Sequence, residues 1–503
     1  MSCLPQPVRF TVDGQPVCVT GLPASTTLLE WLRLHHRATG TKEGCAEGDC
    51  GACTVVLARR EADGRLRVEP CNACIRLLPT VAGCGVLTVA GLHGDHATQQ
   101  AMVAHHGSQC GFCTPGFVMA GAARLAVGPV ASDAQACEAL AGNLCRCTGY
   151  RPIIAALRAA SAVLHRSPAG CGAPVGLPDW LARLPPPAAG PAQDDPGDAA
   201  GWFAPRTPEA VDARLAQWPD AWLLAGGTDI GLWVTKQLRE PARWIWLGAV
   251  DALHERSRGA THHEIGAAVS LADAFALLDA DYPELAGYWS RFASPAIRAS
   301  GTLVGNLANG SPIGDGAPVL IALGAEVLLR RAGPDGTLRR TLPLADLYVD
   351  YRRQSRVPGE WIERVRVPRR APGLRLAAHK LSKRFEQDIS AVSLVVALHE
   401  AGGRLADVRI ACGGMAGVVR RAPAAEAALD GAAPERAAFE RAGAALGADF
   451  SPLDDLRATR DYRLEAAAGL LVRTWHQWFG GPGPVASLDG LGPVATAAPG
   501  EAP

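Results

Sequence analysis

The sequence predicts a multidomain α+β protein, and three observations predict it. The chain has 503 residues, enough for about three or four domains with sizeable cores. Its patterning changes character repeatedly, from strand alternation to helical periodicity and back, around a stretch from about 170 to 201 rich in Pro, Ala, Gly and Asp that reads as a linker. Between Cys45 and Cys147 it carries two separate groups of cysteines, one in a glycine-rich loop and one among helix signals.

Bulk properties narrow the function classes. Lys plus Arg and Asp plus Glu balance at 49 each, so charge makes no case for nucleic acid or an anionic membrane surface as partner. Apolar residues are 48% of the chain, ordinary for a globular protein, and no run approaches the ~18 apolar residues of a membrane span. The N-terminus, MSCLPQPVRFTVDGQ, lacks the charged region and apolar core of a signal peptide. The expectation is a cytoplasmic protein whose 15 cysteines are reduced. Grouped cysteines in that compartment mean metal or redox work rather than disulfides.

The first domain is expected over residues 1–91. Val8, Phe10 and Val12 alternate, Asp13-Gly14 turns, and Val17 and Val19 alternate again, which is a β-hairpin signal. Thr27 and Glu30 form a capping box ahead of Leu28, Trp31 and Leu32, predicting a helix from about Leu28 to Ala38 with Gly40 as its stop. Thr54–Ala58 and Leu87–Val89 read as strands. A hairpin, a helix on the sheet and further strands make a β-grasp ferredoxin domain. The helix delivers the chain to GCAEGDCGAC, where Cys45, Cys50 and Cys53 stand in a C-x4-C-x2-C pattern, with Cys74 after a longer gap. This is the plant-type 2Fe–2S spacing, whereas zinc ribbons favour paired C-x2-C knuckles. Gly44, Gly48 and Gly51, with Ala46 and Ala52, let the backbone wrap closely so that amides reach the sulfurs.

A helical second domain is expected over 92–168. Cys110 and Cys113 lie in QCGFCTPGF, and Cys145 and Cys147 in GNLCRCTGYRP, a C-x2-C then C-x-C arrangement that matches no zinc spacing. Thr114-Pro115 starts a helix through about Val127. Asp133 caps another that ends near Gly142, and Pro152 starts a third through about His165. Cys113 and Cys147 then precede helix N-termini, whose partial positive charge favours thiolate and an anionic cluster.

After the linker (169–200), where Trp180 and Leu181 are candidates to dock, a third domain is expected over 201–372. AWLLAGGTDIG (Ala221–Gly231) is an apolar strand running into a Gly-Gly turn, which lets backbone amides approach a pyrophosphate. It is not the G-x-G-x-x-G fingerprint. ASGTLVGNLANGSPIGDGAP (Ala299–Pro318) is a second loop rich in small residues, and loops of that length are usually functional. A fourth domain, 373–480, shows strands at Ser393–His399 and Leu405–Ala411 joined at Ala401-Gly402-Gly403. Helices follow at about Ala424–Leu429, Glu435–Leu446 and Tyr462–Trp478. The tail, 481–503, has a disordered composition.

GCAEGDCGACT, QCGFCTPGF and NLCRCTGYRPI together resemble the two iron–sulfur domains of the molybdenum hydroxylase family, especially its xanthine dehydrogenases. The two glycine-rich loops resemble the FAD-binding domain of vanillyl-alcohol-oxidase (PCMH) type, and residues 373–480 the C-terminal domain of carbon monoxide dehydrogenase flavoproteins. The resemblance implies one 2Fe–2S cluster on Cys45, Cys50, Cys53 and Cys74, where the Asn72-Ala73-Cys74 pattern favours Cys74 over its neighbour Cys71. It implies a second on Cys110, Cys113, Cys145 and Cys147. Cys3, Cys18, Cys71, Cys84, Cys137, Cys171 and Cys412 remain as structural thiols. For FAD it implies Leu223, Leu224, Ala225, Gly226, Gly227, Thr228, Asp229, Ile230 and Gly231 around the pyrophosphate. Phe292, Thr302, Asn306, Asp315, Ile362 and Lys380 are also implied as contacts, with Ser311 and Pro312 in the same loop. Gln109 would touch a pterin carried by another chain, and Lys383, Arg384, Glu386 and Asp388 lie where relatives control access to the flavin.

The chain stops before any molybdenum domain. The resemblance therefore implies the small subunit of a two-subunit enzyme, two small and two large subunits in all, with no catalytic residue for substrate oxidation in this chain. Electrons from hypoxanthine or xanthine, oxidised to urate at a molybdenum cofactor in the partner, would pass through both clusters to FAD and then NAD+. The alternatives are the same module serving an aldehyde, nicotinate or carbon monoxide enzyme, or an electron-transfer module that does not use NAD.

Overall fold

The computed structural model describes residues 4, 7–61, 63–166, 174–185 and 201–480. Val8–Val12 has its alternate side chains buried and pairs antiparallel with Gln15–Val19 across Asp13-Gly14, both at positive φ (47° and 85°). The five-stranded sheet runs in the order Gln15–Val19, Val8–Val12, Gly85–Leu87, Thr54–Arg60, Leu66–Asn72. Its Val8–Val12/Gly85–Leu87 pair is parallel, the mark of a β-grasp. The strand expected at Leu87–Val89 is in fact Gly85–Leu87. The Asp13 carboxylate accepts the Thr88 N–H (2.7 Å) and the Thr88 hydroxyl (2.7 Å), which takes the chain out of the sheet there.

The helix after Thr27 is also shorter than its periodicity suggests. The Thr27 hydroxyl accepts the Glu30 N–H at 3.1 Å, but the α-turn Leu28–Glu30 widens into a π-turn, Trp31–His35, and closes at His36 rather than near Gly40. Trp31 stacks on His36 and meets the edge of Phe10, each at 5.0 Å between centroids. That packing holds the chain end while Leu28 and Leu32 fill the space under the sheet.

The helical domain has four helices: Ala97–Ala104, Thr114–Ala126, Asp133–Leu140 and Arg151–Leu164. The cap of the third is Ser132, not Asp133; its hydroxyl accepts the Gln135 N–H at 3.2 Å. Alanines at helix contacts let the second helix bury almost completely, whereas the fourth buries one face, Ile153, Ala156, Leu157, Ala160 and Ser161. From the linker, the turn Asp179–Arg183 docks on the first sheet. Leu181 is buried, the Trp180 ring fills the space beside Gly14 and Gly85, and Arg60 donates to the Leu184 carbonyl (2.9 Å). Residues 169–173 and 186–200 of that segment, and the tail 481–503, lie outside the described residues.

The third region combines a three-stranded parallel sheet (Trp202–Phe203, Trp244–Trp246, Trp222–Leu224) with a five-stranded antiparallel sheet. The latter runs in the order Gly336–Pro343, Glu326–Gly333, Trp361–Pro368, His262–Gly266, Arg256–Arg258. In the fourth, the sheet Arg375–Leu381, Val392–Ala401, Arg404–Gly413, Arg420–Arg421 is covered by helices Pro423–Leu429, Arg436–Asp449 and Arg460–Phe479. Gly402 and Gly403, at φ 58° and 71°, form the tight turn of its central hairpin.

Candidate functional site

The loop after the first helix gathers four thiols. Cys45 is in hydrogen-bond contact with Cys50 and Cys74, and Cys53 with Cys74. The amides of Glu47 and Cys50 both donate to the Cys45 sulfur at 3.4 Å. Donation from Cys50 and Cys74 drives the Cys45 thiol far below its ordinary value, and the same contacts push those two donors up. The loop has no room for side chains. A Cβ on Gly44 would sit 2.8 Å from the Cys50 sulfur, and one on Gly48 (φ 79°) 2.6 Å from Ile75. Cys71 stays apart on its strand, buried, with its thiol pushed up to about 12 by desolvation; Cys74 is the one that joins the set.

The second set forms two contacting pairs, Cys110 with Cys147 and Cys113 with Cys145. Burial pushes the Cys113 thiol up to about 12, and the Cys145 thiol beside it reinforces that. For Cys145, burial alone would raise the thiol, but the Thr148 hydroxyl, donating at 3.2 Å, and nearby amides outweigh it and lower it. Cys113 caps the helix Thr114–Ala126, whereas Cys147 stands four residues before Arg151. Among the described residues no group of three or more His, Cys, Asp or Glu side chains is arranged to hold one metal ion, although the thiols of each set touch. In the second set the thiols touch in pairs, which suits a two-iron cluster, in which each iron takes two cysteine sulfurs, better than one tetrahedral zinc.

The two sets are joined through backbone. Leu144 N–H donates to the Cys50 carbonyl at 3.0 Å, and Leu144 directly precedes Cys145. The buried Asn143 donates to the Gly51 carbonyl at 2.9 Å. Gly51 (φ 68°) and Gly116 are packed so closely here that a Cβ on either would collide with the facing backbone, the Gly142 carbonyl or the Gly51 carbonyl.

Beside the first set lies a cavity of about 600 Å³, within the usual range for cofactor sites. Leu223, Ala225, Gly226, Gly227, Thr228, Asp229, Ile230, Phe292, Thr302, Asn306 and Ile362 line it. Leu224 is fully buried behind the wall, and Gly231 packs on Ile75. Asp315 and Lys380 are not on the wall. They form a buried ion pair (2.5 Å), and the Ser390 hydroxyl also donates to Asp315 (2.5 Å). Ser311 and Pro312 are likewise set back. The cavity fits FAD in its polar chemistry: Gly227 has the positive φ (79°) of a turn that presents amide donors, and the Asn306 Oδ1 on the wall is a buried acceptor without a partner. Burial also raises the Asp229 carboxyl, which accepts from Asn309 (3.1 Å).

Sequence reasoning missed three contributors. Glu47, Gly48 and Asp49, between the first cysteines, are also cavity wall; their place inside the cysteine loop was the available signal. Gln387, at φ 51° in the charged loop, reaches the wall as well. Arg298 donates to the carbonyls of Ser290, Phe292 and Ala293 (3.3, 3.1 and 2.8 Å), fixing the turn that presents Phe292, with Ala293 at φ 56°. Nothing local in the sequence marks that role.

Four family models match the chain in order: a 2Fe-2S iron-sulfur cluster binding domain (residues 10–77), a [2Fe-2S] binding domain (88–158), the FAD binding domain in molybdopterin dehydrogenase (198–370) and the CO dehydrogenase flavoprotein C-terminal domain (377–478). The chain belongs to the molybdenum hydroxylase family. It is the iron–sulfur and FAD electron-transfer module of such an oxidoreductase. Among curated relatives, the chain is 31% identical to xanthine dehydrogenase of Emericella nidulans, over 93% of its own length and 38% of the relative's. It is 31% identical to probable aldehyde oxidase 3 of Oryza sativa subsp. japonica, over 65% of itself and 28% of that protein. The chain thus spans 38% and 28% of the lengths of these two relatives. Among solved structures it resembles carbon monoxide dehydrogenase from Hydrogenophaga pseudoflava, with TM-score 0.51 and 30% identity over 54% of this chain and 94% of that one. Quinoline 2-oxidoreductase from Pseudomonas putida 86 gives TM-score 0.50 and 25% identity over 55% and 95%. Among the described residues no helix is long and apolar enough to cross a membrane.

Proposed function

We propose that this chain is the iron–sulfur/FAD subunit of a cytoplasmic xanthine dehydrogenase. It takes electrons from a partner molybdenum subunit that oxidises hypoxanthine and xanthine to urate, and passes them to NAD+. The observation that carries this reading is the shared wall: Glu47, Gly48 and Asp49 belong at once to the first thiol loop and to the cavity. When bound, the clusters supply one-electron transfer and FAD the exchange between one-electron and two-electron chemistry.

The chain's own residues set spacing and access. Cys110 and Cys147 hold their end of the second set at the surface, beside exposed Gln109, Phe112, Leu144 and Tyr150. That apolar rim supports docking of the molybdenum subunit there, in an assembly of two small and two large chains. Cys53 and Cys74, buried, and Cys45 and Cys50, half-buried, hold the first set further inside than the second. The Gly226–Gly227 turn and Thr302 present polar groups to a pyrophosphate, Phe292 and Ile362 provide apolar wall, and Gln387 borders the opening through which NAD+ would approach. Coverage of 93% by a xanthine dehydrogenase, in a single fused order of domains, supports the purine assignment.

The likeness to an aldehyde oxidase and to quinoline 2-oxidoreductase favours one second reading, the same module serving an aldehyde or N-heterocycle oxidase. The test is twofold. The purified chain with FAD is expected to reduce an artificial dye with NADH, and with its molybdenum partner to reduce NAD+ on addition of xanthine. Bound flavin that NADH never reduces would remove the NAD+ assignment. Turnover with aldehydes but not purines would move the chain to the second reading.

A further inference from the structure

A second, small cavity of about 50 Å³ lies between the first iron–sulfur domain and the FAD domain. Arg59, Glu69, Cys71 and Arg76 line it from one side, and His254, Ser300 and Thr302 from the other. Its charges do not cancel. Glu69 is already engaged by Arg67, which is also paired with Asp273 at 2.7 Å. Arg59 makes no hydrogen bond or ion pair with any described residue, and the buried Arg76 Nε has no partner, although another nitrogen of its guanidinium reaches the Thr80 carbonyl at 3.1 Å. Desolvation lowers the pKa of His254, whose Nε2 lies 3.0 Å from the Gly248 carbonyl. The wall therefore offers two guanidinium groups that form no ion pair with a described residue, with the Ser270, Ser300 and Thr302 hydroxyls, around a space that admits a halide but not a pyrophosphate. Two cations facing one small space at a domain junction, where the nearby Glu69 is already engaged by Arg67, are costly to leave uncompensated.

We propose that this cavity binds a small monovalent anion of halide size between Arg59 and Arg76, and that the anion cements the first iron–sulfur domain to the FAD domain. The site shares Ala225, Gly226 and Thr302 with the larger cavity, so it braces the loop expected to face the cofactor's phosphates from behind. The inference rests on the cavity and its arginines and holds whichever substrate the assembly oxidises.

The test uses the full chain with its cofactors. Crystals grown in sodium bromide are expected to show an anomalous bromide peak between Arg59 and Arg76. In solution at constant ionic strength, replacing gluconate by bromide or chloride is expected to raise the melting temperature by about 2 °C. Arg76→Gln and, separately, Arg59→Gln should abolish the halide increment. Because the increment is read within each variant, a general loss of stability does not mimic the result. Water alone in the cavity would overturn the proposal. So would an adventitious ion only, a peak in the crystal with no halide dependence in solution, or an increment that both variants retain.

Discussion

The two thiol sets contain the same four donors and sit in opposite settings. The first is folded into the interior: Cys53 and Cys74 are buried, glycines line the loop, and the loop doubles as cavity wall. The second is held at the ends of helices with Cys110 and Cys147 exposed. The difference teaches how a chain orders two chemically alike centres. Both cysteine patterns bring thiols together, but the surroundings leave one set at the surface and place the other against the cavity. The backbone joint at Leu144 and Cys50 makes the contrast a direction as well as a difference.

The largest way to break the comparison is to remove one set. Cys74→Ser should lose the buried cluster and leave the exposed one. Bound iron would fall to about half, and one of two electron paramagnetic signals would vanish while the other persists. Cys71→Ser should change neither; an equal loss from both variants would contradict the choice of Cys74. Next comes the joint. Gly51→Ala places a Cβ against the Gly142 carbonyl at a positive φ and should cost about 2–4 kcal/mol. Chemical denaturation is expected to show the helical domain detaching first.

Asn143→Ala keeps the backbone bond but removes the side-chain bond to Gly51, at a cost of about 1–3 kcal/mol. It should weaken the magnetic interaction between the two reduced clusters without changing iron content. Unchanged coupling would show that the Leu144 bond alone sets the spacing. A smaller effect compares the domains by pH. Burial lowers His96 in the helical domain and His379 in the C-terminal domain to about 4 each. Both stay neutral when folded while the unfolded chain protonates near its ordinary 6.5. Their stabilising contribution is therefore complete above about pH 6.5 and is lost as pH falls toward 4. Thermal melts should shift down across that window, and His379→Gln should flatten the part due to the C-terminal domain.

Much of this was legible in the residues because the chemistry is local. C-x4-C-x2-C and C-x2-C with C-x-C are spacings that backbone geometry turns directly into convergent thiols. In the C-terminal domain the strand pair was marked by Ala401-Gly402-Gly403, and the first helix starts directly at Pro423. What failed was decided by tertiary contacts. The stop at His36 came from Trp31 packing on both His36 and Phe10, and the end of the last strand of the first sheet from the Asp13 side chain. Lys380 and Asp315, expected at the cofactor, pair with each other behind the cavity wall, a contact that only the fold reveals. Glu47–Asp49 and Gln387 reach the cavity from other domains, a juxtaposition no local pattern carries.

The most direct test of the two-cluster, one-flavin account is the iron, sulfide and flavin content of the purified chain, read with its visible spectrum. The account predicts about four iron, four sulfide and one FAD per chain, with absorbance that bleaches on reduction. Zinc in place of iron, or a chain that takes up both clusters but no flavin, would contradict it.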